Sequence, residues 1–383
     1  MIYLVVPKLI IQKTWGGDYI PTRKNISLQD MPIGQSYEFY SESKIIQADS
    51  VKKLEKYPYI VGSNSPKDEK IYNKNKNIID LSSVDAKKIF GRRQIPNILI
   101  KFTQAKGNSY QIHPKYSSGK YKPKAESWLF FEKGKATIGL KPNADLAQYK
   151  KICEQINKLA QDLSKQVIKK QITLKTAQKE LDQFIELNDP IQFVNVVNFM
   201  KNAIVEFIRG GIHHSWEEDI FSIPEGNIVF EVQQDVSDEL STIRTFDKGK
   251  FMPDGSIRPL DIKSYFKYID TNKNNNNPKN LIRNSIRLKE VHGWTLNKIF
   301  HNAFYNTDQL IVSDSYELTD LGFRHIFVKS GEGIIETDDQ EIELKTGWSY
   351  LHSQDIETTT ITNTASQSSQ PLELLLTYVR NDY

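Results

Sequence analysis

Gln111 and His113 are separated by one residue within NSYQIHP, a run whose aromatic and β-branched content reads as a strand. Side chains at i and i+2 leave a strand on the same face, so an amide oxygen and an imidazole would project together. Glu126 follows in the next strand-like run, ESWLFF, among Trp128, Phe130 and Phe131, where an inward-facing carboxylate needs a partner. Two strands carrying Gln, His and Glu would make a mixed oxygen and nitrogen nest for a divalent metal. A lone strand histidine is more often a hydrogen-bonded structural residue; the nearby carboxylate is what shifts the balance. His213 and His214, on the glycine-flanked turn GGIHH, offer a further nitrogen ligand. Adjacent strand residues point opposite ways, so one of the two would reach the site.

Charged residues cluster around these candidates. Lys124, two residues before Glu126, shares its face in an extended segment and could hold a phosphate, although a solvated loop lysine is the commoner case. Downstream, Glu231 and Gln233 alternate in VFEVQQ, and Arg244 follows in TIRTFD. An arginine presents a fixed fork suited to phosphate or to a developing oxyanion. The sequence contains no Walker loop, no G-x-G-x-x-G, no H-E-x-x-H and no G-x-S-x-G. From the residues alone the reading is a β-rich metal site beside basic groups.

The elements that must position these side chains are mostly strands. ILIKFTQ, NSYQIHP and ESWLFFEKGKATIGL, the last broken near Gly134, form one block; FVNVVNF, AIVEFI, DIFSIP and NIVFEVQQ read as further strands. Trp15-Gly16-Gly17 marks a tight turn, and SSVDAKKIFG a short helix ended by Gly91. Between the strand blocks, apolar residues recur at Ile152, Ile156, Leu159, Leu163 and Val167, then at Leu174, Ala177, Leu181 and Phe184. That spacing predicts a helical pair over about 144–187, broken near 171–173, with a solvated lysine-rich outer face. The polar, low-complexity TNKNNNNPKN at 271–280 reads as a loop or linker, and residues 283–383 as a second β-rich unit.

At 383 residues the chain has room for two or three domains. Its 51 Lys+Arg against 47 Asp+Glu leave +4, which gives nucleic-acid binding no support. Cys153 is the only cysteine, so an intramolecular disulfide and a four-cysteine zinc site are excluded. The N-terminal MIYLVVPKLIIQKTW lacks a basic region followed by a sustained apolar stretch, so no secretory signal is expected. No run approaches the ~18 apolar residues that span a bilayer, and a soluble, cytoplasmic protein is the expectation.

Taken in order, WGG at 15–17, LIKFTQAKGNSYQIHP at 99–114, KAESW at 124–128, GGIHH at 210–214, EVQQ at 231–234 and IRTFD at 243–247 resemble class I mannose-6-phosphate isomerases of the cupin superfamily. The resemblance covers most of the chain, and SGEGIIE…LKTGWSYL is similar to that family's C-terminal jelly roll. It implies a mainly β fold: a catalytic cupin domain from 1–145 and 193–270, a helical insertion at 146–192, an Asn-rich linker at 271–282 and a jelly-roll domain from 283–383. It further implies one Zn²⁺ per chain held by Gln111, His113, Glu126 and His213. Ser109, Lys124 and Arg244 would then bind a sugar phosphate, and Arg244, Lys124 and Glu231 would serve catalysis. The implied reaction interconverts mannose 6-phosphate and fructose 6-phosphate through an enediol, with no nucleic-acid or membrane partner and with monomer or homodimer left open.

The family's V-P-A-G-T-I-H before the last ligand is altered here. A P-x-G at Pro224–Gly226 would place Val229 in the ligand position, whereas the Gly-Ile-His match keeps His213 there and makes WEEDIFSI an insertion. Pro123 stands where some relatives have a histidine. The alternative function is a cupin metalloprotein that acts on or senses another sugar phosphate without isomerase activity.

Overall fold

The computed structural model describes residues 1–50, 56–63, 68–207, 209–213, 215–319, 322–365 and 370–379. Strand is the commonest regular element, arranged among the described residues as two nine-stranded sheets, two three-stranded sheets and one four-stranded sheet. One large sheet runs from Ile282–Arg283 through Ile204–Glu206, Glu126–Phe130, Asn227–Gln233, Leu99–Ala105 and Ile33–Phe39 to Lys8–Ile11, Tyr59–Gly62 and Lys70–Tyr72. Its pairings are antiparallel except between Lys8–Ile11 and Tyr59–Gly62. The Leu99–Ala105 strand is buried along its whole length. That is why its sequence is not a simple alternation of apolar and polar residues: both faces are covered, and they are covered by different things.

On one face Ile100, Phe102, Leu129, Phe230 and Val232 join Phe327, Leu351 and Leu375 of the other large sheet in one hydrophobic cluster. Ring centroids of Phe102 and Phe327 lie 5.4 Å apart, and those of Phe230 and Phe327 5.2 Å. That other sheet holds Ile286–Val291, Trp294–His301, Asn306–Val312, Leu372–Tyr378, Arg324–Ser330 and Ser349–His352 together with Ile2–Val6, Lys44–Gln47 and Ile79–Asp80. Ile2–Val6 sits between Ser349–His352 and Lys44–Gln47, so the first and last thirds of the chain are woven together.

The opposite face of Leu99–Ala105 looks toward the sheet built from Ile212–His213, Tyr110–Ile112 and Ile243–Phe246. Outside that small sheet lie the two helices, Leu146–Ile168 and Leu174–Asn188. Asp145 caps the first by accepting from Ala147 and Gln148 N–H, and Thr173 caps the second. Their apolar stripes, including Tyr149, Ile152, Ile156, Leu163 and Leu181, pack with Tyr110, Ile112, Ile212 and Ile243. The helices therefore clamp the outer face of the strands whose inner face carries Gln111 and His213.

One segment departs from the sequence reading. DIFSIP is a turn: Asp219 Oδ1 accepts from Phe221 and Ser222 N–H, and these local bonds displace a strand. The Asn-rich 271–280 segment is, as expected, mostly exposed turn, with a short helix, Pro278–Leu281, at its end and one buried anchor. Buried Asn276 donates to the Asp270 and Asn272 carbonyls and accepts from Leu140 N–H. A side chain on Gly139, at φ +75°, would meet the Asn276 carbonyl at 2.5 Å, so the strand needs glycine there.

Candidate metal centre and its surroundings

His113, Glu126 and His213 are all buried, and one ligand atom from each lies within 4.8 Å of the others. They arrive from three strands. Glu126 opens the Glu126–Phe130 strand of the large sheet; His213 pairs in register with Gln111, and Arg244 pairs with Gln111 from the other side. Directly opposed residues in an antiparallel pair share a face, so Gln111, His213 and Arg244 face the same interior as His113. Ser109 completes that face and donates its Oγ–H to Gln111 Oε1 at 3.3 Å.

The orientation of the two imidazoles is set by backbone. His113 Nδ1 is 2.7 Å from the Ser241 carbonyl and His213 Nδ1 is 2.6 Å from the Gly211 carbonyl. A carbonyl only accepts, so both rings donate through Nδ1 and turn Nε2 inward. Phe207 stacks on His213 at 4.7 Å and fixes its plane. Glu126 Oε1 accepts from Trp128 Nε1–H at 2.6 Å, while Oε2 lies 3.1 Å from His113 Nε2. His113 Nε2 and the Glu126 carboxylate are close enough to share a proton, and in its place a cation among the three groups would be bound by both Nε2 atoms and the carboxylate. Two inward Nε2 atoms, one carboxylate and an adjacent amide form a donor set that fits zinc or another first-row divalent metal. The carbonyl and indole partners are the outer supports that such ligands require.

The cationic residues fall into two groups. Lys124 Nζ reaches Asp238 Oδ1 at 3.4 Å, and an Arg244 guanidinium nitrogen lies 3.7 Å from Asp238 Oδ2. The two predicted substrate-binding cations thus meet over one half-exposed carboxylate. Burial pulls the Arg244 guanidinium below its ordinary range, and Asp238 opposes that shift. Glu231 lies deeper, opposite both Trp128 and Lys101 in register, with its Oε1 3.1 Å from Lys101 Nζ. Burial, the largest single influence, would lower the Lys101 ammonium; Glu231, Tyr37, Asp238 and Glu126 together outweigh it and hold it above the ordinary lysine value. Tyr37, beside this pair, is pushed up to about 12 by burial.

The structure thus brings Gln111, His113, Glu126, His213, Ser109 and Arg244 to one interior. Lys124 stands at its margin against Asp238, and Glu231 lies deeper in its ion pair with Lys101. Val229 belongs to the aromatic and aliphatic cluster around Trp128 and Phe130, and His214 lies outside the described residues. Sequence reasoning missed Lys101, Asp238 and the Ser241 carbonyl. Lys101 was readable as the i+2 companion of Leu99 and Thr103; Asp238 and Ser241 carried no local signal.

This architecture is the one seen in mannose 6-phosphate isomerases. The chain is similar over 99% of its length to the Bacillus subtilis enzyme of that name (TM-score 0.65, 15% identity, 99% of that chain). It is similar likewise to a zinc-bound mannose 6-phosphate isomerase (0.63, 11%, 99% of both) and to a variant of the Salmonella typhimurium phosphomannose isomerase (0.62, 12%, 99% of both). At such identities the likeness is one of fold. No protein-family model and no curated protein matches the sequence.

Proposed function

We propose that the chain is a metal-dependent sugar-phosphate isomerase that interconverts mannose 6-phosphate and fructose 6-phosphate. The observation that carries this reading is the convergence of His113, Glu126 and His213 on one interior that also holds Gln111 and Arg244. The likeness of fold to mannose 6-phosphate isomerases, some of them zinc-bound, supports the substrate and the metal.

Gln111, His113, Glu126 and His213 would hold one Zn²⁺. When bound it would supply a Lewis-acid centre for the sugar's C1 and C2 oxygens. The isomerisation moves the C2 proton to a base while the C1 carbonyl oxygen gains one, giving an enediol; the O2 hydroxyl then loses its proton as C1 receives one. Arg244 faces the oxyanion that develops as the C2 proton leaves. Glu231, in its ion pair with Lys101, offers the carboxylate to shuttle the proton, a task worth about 10²–10⁴-fold. Lys124 and Ser109 hold the phosphate, whose binding energy aligns C1 and C2.

The test is turnover of mannose 6-phosphate by metal-loaded protein against a chelated control. Arg244→Ala is expected to lower kcat by about 10²–10³-fold with the fold intact. Equal rates with and without chelator end the isomerase reading. Asp238, seated against both Lys124 and Arg244, favours a second reading in which a different sugar phosphate is bound without turnover. Saturable binding with no product would select it.

A further inference from the structure

At one end of the second large sheet, the Ile286–Val291 strand pairs only with Trp294–His301 among the described residues. All six of its residues are exposed, including Ile286 at 59%, Leu288 at 48% and Val291 at 43%. Such an edge presents a row of unpaired N–H and C=O groups beside apolar side chains, a template for another strand.

The pattern of the strand says which other strand fits. A bulge between Arg287 and Lys289 makes the six residues count as five positions opposite Trp294–Lys298. Ile286 and Val291 then occupy the two outer positions on one face, and Arg287 and Glu290 the two inner positions on the other. Arg287 and Glu290 in fact form an ion pair within the strand, which needs both on the same face. Without the bulge they would point to opposite faces. Lys289, at the centre, is drawn back over its own hairpin, with Nζ 5.2 Å from the Trp294 ring centroid.

The order apolar, cation, centre, anion, apolar is complementary to itself when reversed. We propose that this edge is a homodimer interface: a second copy of the chain adds its Ile286–Val291 strand antiparallel about a two-fold axis through the centre. Each Arg287 then faces the partner's Glu290, each Ile286 faces the partner's Val291, and the two central Lys289 meet across the axis as one like-charge pair, their ammonium groups turned back over Trp294. Opposite charges directly across an antiparallel pair stabilise it and like charges destabilise it. The inference is independent of the isomerase reading.

The experiment is sedimentation velocity on the full-length, metal-loaded chain over a wide concentration range. Wild type is expected to show a concentration-dependent monomer–dimer equilibrium. Arg287→Glu and Glu290→Arg, both on exposed side chains, should each be monomeric with unchanged circular dichroism. An equimolar mixture of the two restores both cross-strand pairs and should dimerise again, as should the double variant R287E/E290R. A wild type that stays monomeric at every concentration overturns the proposal and leaves the strand to a different partner. Single variants that dimerise as wild type does, or a mixture that remains monomeric, overturn it as well.

Discussion

The two β-units are built from similar strands and have opposite interiors. Behind the Arg324–Ser330 and Leu372–Tyr378 strands, Ile326, Val328, Leu372, Leu374 and Leu376 meet Ile335, Ile342 and Ile361 of the four-stranded sheet in an apolar fill. Behind Leu99–Ala105 and Glu126–Phe130, the corresponding space holds Lys101, Glu231, Gln233, Glu126, His113 and Gln111, all buried. Burying so many polar groups is costly unless each is paired, and apolar residues there would stabilise more. One interior is filled by aliphatic side chains, and the other mixes these buried polar groups with the cluster around Trp128, Phe130 and Trp216. The outer faces of both sheets share a single hydrophobic cluster, which steadies the polar interior from behind.

That contrast can be broken most sharply at Lys101. Lys101→Met leaves Glu231 buried without its cation and should destabilise the protein by about 3–5 kcal/mol in denaturant unfolding. Lys101→Met combined with Glu231→Leu should regain most of the stability and none of the turnover. A double variant with wild-type turnover would show that the pair serves folding alone.

A smaller effect is expected at Trp128, whose indole N–H holds Glu126. Trp128→Phe keeps the ring and drops the bond, so metal affinity measured by competition with a chromophoric chelator should fall about 10–100-fold. The apolar interior responds differently: Ile326→Val should cost about 0.5–1.5 kcal/mol and leave metal affinity and kcat unchanged.

His325 tests the layer between the two units. It is fully buried near the Phe39 ring, and burial lowers its pKa to about 3. A histidine kept neutral in the fold but protonated when unfolded contributes stability that is complete above the unfolded pKa of about 6.5 and is lost as pH falls toward 3. Unfolding free energy should drop by at most about 1.4 kcal/mol per pH unit over that window from this group. His325→Asn, compared with wild type in urea titrations at several pH values, should flatten the slope by that amount. An unchanged slope would place the acid sensitivity elsewhere.

Much of this was legible in the sequence, and the remainder failed for definable reasons. The two-residue spacing of Gln111 and His113 was read as a shared face, and the register with His213 and Arg244 sets all of them on it. The helices showed in their 3–4 spacing and end at Ile168 and Asn188, the latter beside Asp189 at φ 31°. DIFSIP looked like a strand by composition, but Asp219 supplied an alternative for the backbone N–H groups. Asn276 was hidden because asparagine looks polar and loose until its amide is seen filling backbone valences. The Ser241 carbonyl behind His113 lies 128 residues away, and the pairing of Ile2–Val6 with Ser349–His352 spans nearly the whole chain. Contacts of that kind depend on which strands meet, and local pattern does not carry it.

The central claim is that the polar interior is a metal centre closed by His213. Elemental analysis of wild type and His213→Ala, purified in parallel and dialysed against the same trace zinc, tests it most directly. The account predicts one zinc per wild-type chain and a clear loss in the variant, with both proteins folded. Equal metal content in the two would contradict it.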